Sequence, residues 1–409
     1  MEGNDERRAA LTMAFLCVAA MGTFVSQGLL YPALPLYLHH ELGTTLAVAG
    51  LVVSSQSISA LLARPWSGRF LDTRGRKPFL VAGPALTLGT ALALLFVQSV
   101  PAVLVLRMLQ GVSNAMFYGA ATAMVADIAP PARRATYLAR YSLFFYLGFA
   151  IGPAVAEFLI DRWTFHAVWW AVIAATAWGA ALAMFLPETG QRRTPPPMPL
   201  LSRFFHPVAI APGIPYFCVG VGWTTIGAFL ALYARHVGMA SSGWLFVALS
   251  VTVMITRSMS GNLADRVGRK AVALPCAAGC AAGLAVLALF QRPVTAFVGV
   301  VLFAAGYAGI FPTLLAYVVD RAPEAERGQA MGSFNMFFDI GAPLGGFVAG
   351  RLIDWGGYGT GFGAMAAVAF AGVVILAAGA VPSDRPAARM VATAGPGTGP
   401  DPAQPSSRR

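Results

Sequence analysis

The sequence predicts an all-α membrane protein, with twelve transmembrane helices in two six-helix bundles that repeat in parallel. Three observations carry this. Of the 409 residues, 57% are hydrophobic, and the mean hydropathy of +0.67 is more than a soluble fold can cover. Apolar runs long enough to cross a hydrocarbon core of about 30 Å recur along the whole chain. Many positions of the first half also reappear 193 residues later.

In chain order the spans fall near 10–38, 44–66, 78–98, 102–127, 138–160, 166–186, 207–233, 242–263, 271–290, 294–319, 329–353 and 359–381. The 44 glycines and 28 prolines are compatible with helix here, because neighbouring helices satisfy the backbone groups they free. The first run follows Arg7 and Arg8, is too long for a signal peptide, and keeps the helix count even. These spans divide the chain into a first bundle at 1–186, a polar linker at 187–206 containing "PETGQRRTPPPMPLLSR", a second bundle at 207–381, and a Pro-, Gly- and Ala-rich tail at 382–409 that is expected to be disordered.

The basic residues set the expected orientation. With a cytoplasmic amino terminus, 21 of the 28 Lys and Arg fall on the cytoplasmic side, and Arg162, Arg235, Arg292 and Arg351 fall on the other. The positive-inside rule then places both termini in the cytoplasm, and the net charge of +11 follows from topology. No nucleic-acid partner is expected, since that would need the bases on one soluble face. Cys17, Cys218, Cys276 and Cys280 all sit in apolar spans without acids or histidines beside them. They read as small apolar residues, with no metal and no cofactor implied.

The 193-residue register holds without a gap over nearly a hundred positions. It carries "GRFLDTRGRK" (68–77) onto "GNLADRVGRK" (261–270), Arg64 onto Arg257, Asp127 onto Asp320, Gly148 onto Gly341, Gly152 onto Gly345 and Asp161 onto Asp354. Twelve spans therefore read as two halves of six that begin on the same side of the membrane. The loop between the second and third spans, with Gly68, Asp72, Gly75, Arg76 and Lys77, resembles the G-x-x-x-D-x-x-G-R-K signature of the major facilitator superfamily. The loop between the eighth and ninth spans repeats it. The resemblance covers about residues 9 to 381 and implies a secondary transporter whose two bundles rock around a central site.

Physically, this loop suits a latch. Gly68 lets another backbone come close, Asp72 presents a charge suited to the positive end of a helix, and Gly75 permits a tight turn after which Arg76 can reach Asp127. The resemblance assigns these contacts across the bundle interface, with Asp72 toward the start of helix eleven and Arg76 with Asp127. Gly261, Asp265, Arg269 and Asp320 take the mirrored roles. Arg64 and Arg257 are read as snorkelling or latch-supporting residues near the cytoplasmic helix ends.

An ionisable group inside a span is costly, about 2.5 to 3.5 kcal/mol on insertion scales, so each one is a candidate site. Arg107 opens "RMLQG", similar to the family's R-x-x-Q-G motif linked to proton transfer. It could tune a nearby acid, hold an anionic substrate, or serve structure alone. "GFAIGPAVAE" partly matches the antiporter motif through Gly148, Gly152 and Pro153, and Pro153 is expected to bend its helix. The match departs from the motif at Ala156 and Glu157. Glu157 is either a proton-coupling group or an interface residue paired with Arg162 or Arg351. Asp339, in "NMFFDIGAPLGG", falls opposite Tyr146 in the duplicate and is the leading protonatable candidate, against a satisfied hydrogen bond between helices. Gln27, Tyr31, Asn114, Tyr118, Tyr146, Trp223, Tyr307 and Asn335 are the substrate-cavity candidates.

The expected function is export of a small organic solute by alternating access, coupled to protons as an antiporter, in a bacterial inner membrane. The alternative is a proton symporter or facilitator that imports. The expected partners are lipid bilayer, protons and the solute, and a monomer is the expected state. No phosphate loop, metal-ligand spacing or nucleophile–base set argues for an enzyme.

Overall fold

Without water in the hydrocarbon core, each span must satisfy its own backbone, and every described span is helical. The structure, a computed structural model, describes residues 2–130, 134–189, 205–323 and 326–381. The expected linker and tail lie almost entirely outside these residues. In the first half the helices are α1 (Glu2–His40), α2 (Leu46–Arg74), α3 (Lys77–Leu94), α4 (Val100–Ile128), α5 (Arg134–Arg162) and α6 (Phe165–Met184). The second half holds α7 (Pro207–His236), α8 (Gly243–Val267), α9 (Arg269–Leu289) and α10 (Pro293–Arg321). The remaining helix continues from Arg327–Pro343 through a π turn at Leu344–Val348 into Ala349–Ile375. Gly357, with φ 77 and ψ 178, breaks it, giving α11 (327–356) and α12 (358–380). Ten described helical stretches are long and apolar enough to cross a membrane. One of them, Gln329–Gly379, holds two spans, and the shorter apolar stretch Gly243–Arg257 supplies α8, so the total is twelve.

The duplication is visible in the backbone. Gly75 ends α2 at φ 96 and Gly268 ends α8 at φ 94, so both copies of the loop turn through the left-handed region that glycine favours. In the first half α1 lies on α5 and α6, α2 on α4, and α3 on α4 and α6. In the second, α7 lies on α11 and α12, α9 on α10 and α12, and α8 on α10. The bundles meet chiefly at two crossings, α2 with α11 and α5 with α8, and α1 and α2 also touch α7. Trp163, Trp244 and Trp355 are exposed at the end of the bundle away from the two signature loops, as an aromatic belt at a membrane interface would be.

Small residues decide how close the bundles come. A Cβ on Gly50 of α2 would run into the carbonyl oxygen of Gly346 of α11, and one on Gly346 into that of Gly50. Gly350 stands in the same way against Leu46. On its other face α11 lays Gly341 and Gly345 against Phe217 and Val221 of α7. Pro343 and the π turn leave backbone groups to be satisfied here, and Thr225 donates its hydroxyl to the Gly345 carbonyl at 2.9 Å. In the first bundle, Gly148 and Gly152 of α5 admit Phe24 and Gly28 of α1.

These contacts predict that Gly346→Val, which drives a side chain into the α2 backbone, lowers the melting temperature of the purified protein, with overpacking costing about 1–3 kcal/mol. Gly332→Ala, where a Cβ meets nothing within 4 Å, leaves it unchanged or slightly higher. An unaltered melting temperature in Gly346→Val contradicts the packing.

Candidate functional site

Between the two crossings, deep in the bundle, the structure brings together charges that the sequence had set apart. Arg64 Nε of α2 donates to Asp339 Oδ2 of α11 at 2.7 Å, and Asp339 is 3% exposed. Arg257 of α8 donates to the hydroxyl of Tyr146 of α5. Both contacts cross from one bundle to the other. They are also equivalent under the 193-residue register, Arg64 matching Arg257 and Tyr146 matching Asp339. The register extends to the next neighbour. Tyr118, on which the charges of both arginines act, matches Phe311, over whose ring Arg257 lies at 5.2 Å.

Arg64 and Arg257, near the ends of their apolar stretches Leu46–Ser67 and Gly243–Arg257, do not simply snorkel, because each reaches a group of the opposite bundle. The apolar run of the second span stops near position 66, but α2 continues to Arg74 and α8 to Val267. Each arginine lies ten residues inside its helix, about 15 Å from the end at 1.5 Å per residue. Such a guanidinium needs a partner, and the facing bundle supplies it.

Around these contacts lies an aromatic lining. Trp223 and Tyr307 stack at 4.4 Å with planes 20° apart. Tyr216 stacks on Phe334 at 4.6 Å, and Tyr31 is edge-on to Phe149 at 4.8 Å. A small cavity of about 10 Å³, room for about one water, lies among Tyr31, Phe149, Trp223 and Phe246. Gln27 accepts from Gln56 at 3.2 Å. Asn114 is half-buried on α4. Asn335 donates to the Met331 carbonyl of its own helix at 3.0 Å. Tyr216, Phe149 and Phe311 belong to this lining and were not singled out from sequence, where buried aromatics carry no distinguishing pattern.

Arg107 is 4% exposed, and its bonds go to neutral acceptors, Gln110 Oε1 at 2.7 Å and the Val53 carbonyl at 3.3 Å. Its Nε has no hydrogen-bond partner. Gly111 lets α2 approach at Gln56 and Ser59.

At the end away from the signature loops, both crossings place a carboxylate at a helix N-terminus. Asp354 of α11 accepts from the Leu46 and Ala47 amides at the start of α2, each at 2.9 Å. Glu157 of α5 accepts from the Ser242 hydroxyl ahead of α8 at 2.5 Å, with Arg235 at 3.9 Å and closer, at 3.7 Å, to Asp161. Glu157 is therefore not paired with Arg162 or Arg351. Arg162 lies five residues further on, about 140° round the helix. Pro153 sits within α5 one residue after the Gly152 contact with α1.

At the loop end, the ties among the described residues run within bundles. Arg76 Nε lies 3.2 Å from Asp127 Oδ2, and Arg269 lies 2.5 Å from Asp320 Oδ2. The first pair joins the α2–α3 turn to α4, so it holds the first bundle together and does not cross the interface. Glu188, beyond α6, accepts from the Arg76 and Lys77 amides at 2.7 and 3.1 Å and caps α3. Gly68 and Asp72 lie in α2 and Gly261 and Asp265 in α8, but the side chains through which the latch would act lie outside what is described.

Two parallel-repeat bundles that cross a membrane and meet around a buried ion pair define a transporter of small solutes. The sequence profile of the Major Facilitator Superfamily matches residues 16–214 and again 213–403, and the chain belongs to that superfamily. It is similar to an uncharacterised MFS-type transporter of Burkholderia mallei (strain SAVP1), 29% identical over 391 residues and 90% of each chain. It is also similar to one of Pseudomonas aeruginosa (strain LESB58), 27% identical over 365 residues, 85% of this chain and 89% of that one. Among solved structures, the nucleoside transporter NupG shares the fold at a TM-score of 0.78 and 14% identity, covering 90% of this chain and 99% of that one. The human organic anion transporter MFSD10 (TETRAN) does so at 0.70 and 19%, covering 91% and 99%. The protein is a multi-pass membrane transporter, not an enzyme.

The carboxylate at the start of α2 gives a direct test. Asp354→Asn removes a charge from a helix N-terminus, worth about 1 kcal/mol, so the far end should open more often by about fivefold. Nitroxide labels at His40 and Arg351, exposed at that end on opposite bundles, should show a larger long-distance fraction by double electron–electron resonance. An unchanged distance distribution contradicts this role.

Proposed function

We propose that the protein exports a small organic solute across a bacterial inner membrane in exchange for protons, with both termini and the signature loops in the cytoplasm. The observation that carries this reading is the Arg64–Asp339 pair, a buried titratable carboxyl whose ionic partner among the described residues belongs to the other bundle. Protonating Asp339 cancels its charge and releases Arg64, so proton occupancy biases the equilibrium between two arrangements of the bundles. The bundles at 1–186 and 207–381 are the moving bodies, and the linker at 187–206 joins them on the cytoplasmic side.

Alternating access follows from the differing ends. The far end is joined by glycine contacts and carboxylate-capped helices, so this is the arrangement closed toward the outside. Opening it breaks the Asp354 and Glu157 contacts, and the latch positions at Asp72 and Asp265 close the cytoplasmic end in return. The Arg76–Asp127 and Arg269–Asp320 pairs keep each loop rigid while its bundle moves. Export is favoured by the Gly148, Gly152 and Pro153 pattern, which partly matches the family's antiporter motif and packs α5 against α1. The solutes named for the two structural neighbours differ, so the fold does not hand a substrate to this chain.

In reconstituted vesicles, Asp339→Asn should lose accumulation driven by a pH gradient yet keep solute exchange between equal pools, whereas Glu157→Gln should keep both. Gradient-driven accumulation that survives in Asp339→Asn removes Asp339 from the proton path. Accumulation that follows protons, and does not oppose them, replaces export by import.

A further inference from the structure

The substrate class can be read from an asymmetry within the central contacts, given the solute-transport reading above. Arg64 and Arg257 occupy equivalent places in the two halves, and each reaches into the other bundle. Arg64 meets a carboxylate. At the equivalent of that carboxylate, Arg257 meets the hydroxyl of Tyr146, and its guanidinium also lies 5.3 and 5.2 Å from the ring centroids of Tyr146 and Phe311. The 193-residue register thus pairs two cations with one carboxylate and one hydroxyl.

Arg107 adds to the imbalance independently. It is buried, its hydrogen bonds go to an amide and a backbone carbonyl, and its Nε has no partner. Its charge acts on Tyr31, which lines the small cavity with Trp223. Among the described residues, the inner parts of the spans thus hold three arginines and one acid, Asp339. Glu157 lies apart at the far end with Ser242 and Arg235. Positive charge in excess inside the spans, one of the three arginines fully buried and two partly so, is unfavourable unless something negative shares the space. Arginine suits that task, because its planar donors match a carboxylate and its face stacks on rings.

We propose that the central site takes an organic anion with a planar apolar body, with Arg257 binding the anionic group where the second half of the pattern lacks its acid and the stacked Trp223 and Tyr307 flanking the body. Tyr146 then sets specificity. It fills the position of Asp339 without its charge and orients the guanidinium through its hydroxyl.

The test uses the purified full-length protein and reads binding through the rise in melting temperature that a ligand of the folded state produces. The probes are benzoate, salicylate, phenylacetate and indole-3-acetate, each beside its primary amide. At least one acid should raise the melting temperature and its amide should not. Arg257→Gln should weaken that acid at least tenfold, and Arg257→Lys less. Tyr146→Asp should weaken it equally, because an internal carboxylate then takes the place of the ligand's, as Asp339 does for Arg64. Unliganded melting temperatures close to wild type show that the variants are folded. The proposal is overturned if amides stabilise as well as acids, if Arg257→Gln binds the acid as wild type does, or if no acid stabilises the protein. Binding needs neither a gradient nor a direction, so a failure of proton-coupled export leaves this result standing, and its failure leaves export standing.

Discussion

A charge held inside a bilayer must be answered by something close to it, and in this protein the answer to Arg64 comes from the opposite bundle. The 2.7 Å contact with Asp339 sets how α2 and α11 face each other at depth, and the equivalent contact of Arg257 with Tyr146 does the same for α8 and α5. Both crossings are therefore fixed by chemistry at their middles. The glycines at 50, 346 and 350 let the same helices close to backbone contact further along. A neutral Asp339 would leave Arg64 without its counter-charge, and the proposed coupling rests on that loss.

Among the described residues, the two ends carry different contacts around that centre. Away from the loops, Asp354 and Glu157 reach across to the first residues of α2 and α8, so the seal there consists of contacts that separate when the bundles part. Toward the loops, the Arg76–Asp127 and Arg269–Asp320 pairs and the Glu188 cap on α3 stay within a bundle. Contacts of the second kind survive a rigid-body rotation and those of the first do not, which fits a machine whose bundles move as units.

Much of this was legible in the sequence. The apolar runs gave all twelve spans to within a few residues at most ends, and the 193-residue register gave the parallel repeat and the two loop turns at Gly75 and Gly268. The continuation of α2 eight residues past the apolar run, to Arg74, was not legible, nor were the partners that Arg64 and Arg257 find in the opposite bundle. Nor was the partner of Asp339, which lies 275 positions away on another bundle. The register did place Asp339 opposite Tyr146 and Arg64 opposite Arg257, and the crossed pairing needed only the knowledge that α2 meets α11 and α5 meets α8. Ser242 and Arg235 were missed as partners of Glu157 for the same reason. Helical facing within α5 argues against Arg162, but only the α5–α8 crossing names the replacement.

The central claim is that the Asp339 carboxyl exchanges Arg64 for a proton within the working pH range. Infrared difference spectroscopy on the purified protein, between alkaline and acidic buffer, reads that event directly as the appearance of a protonated carboxyl band. The account predicts a band that is absent in Asp339→Asn and present in Glu157→Gln. A band that survives in Asp339→Asn, or none in the wild type, would contradict it.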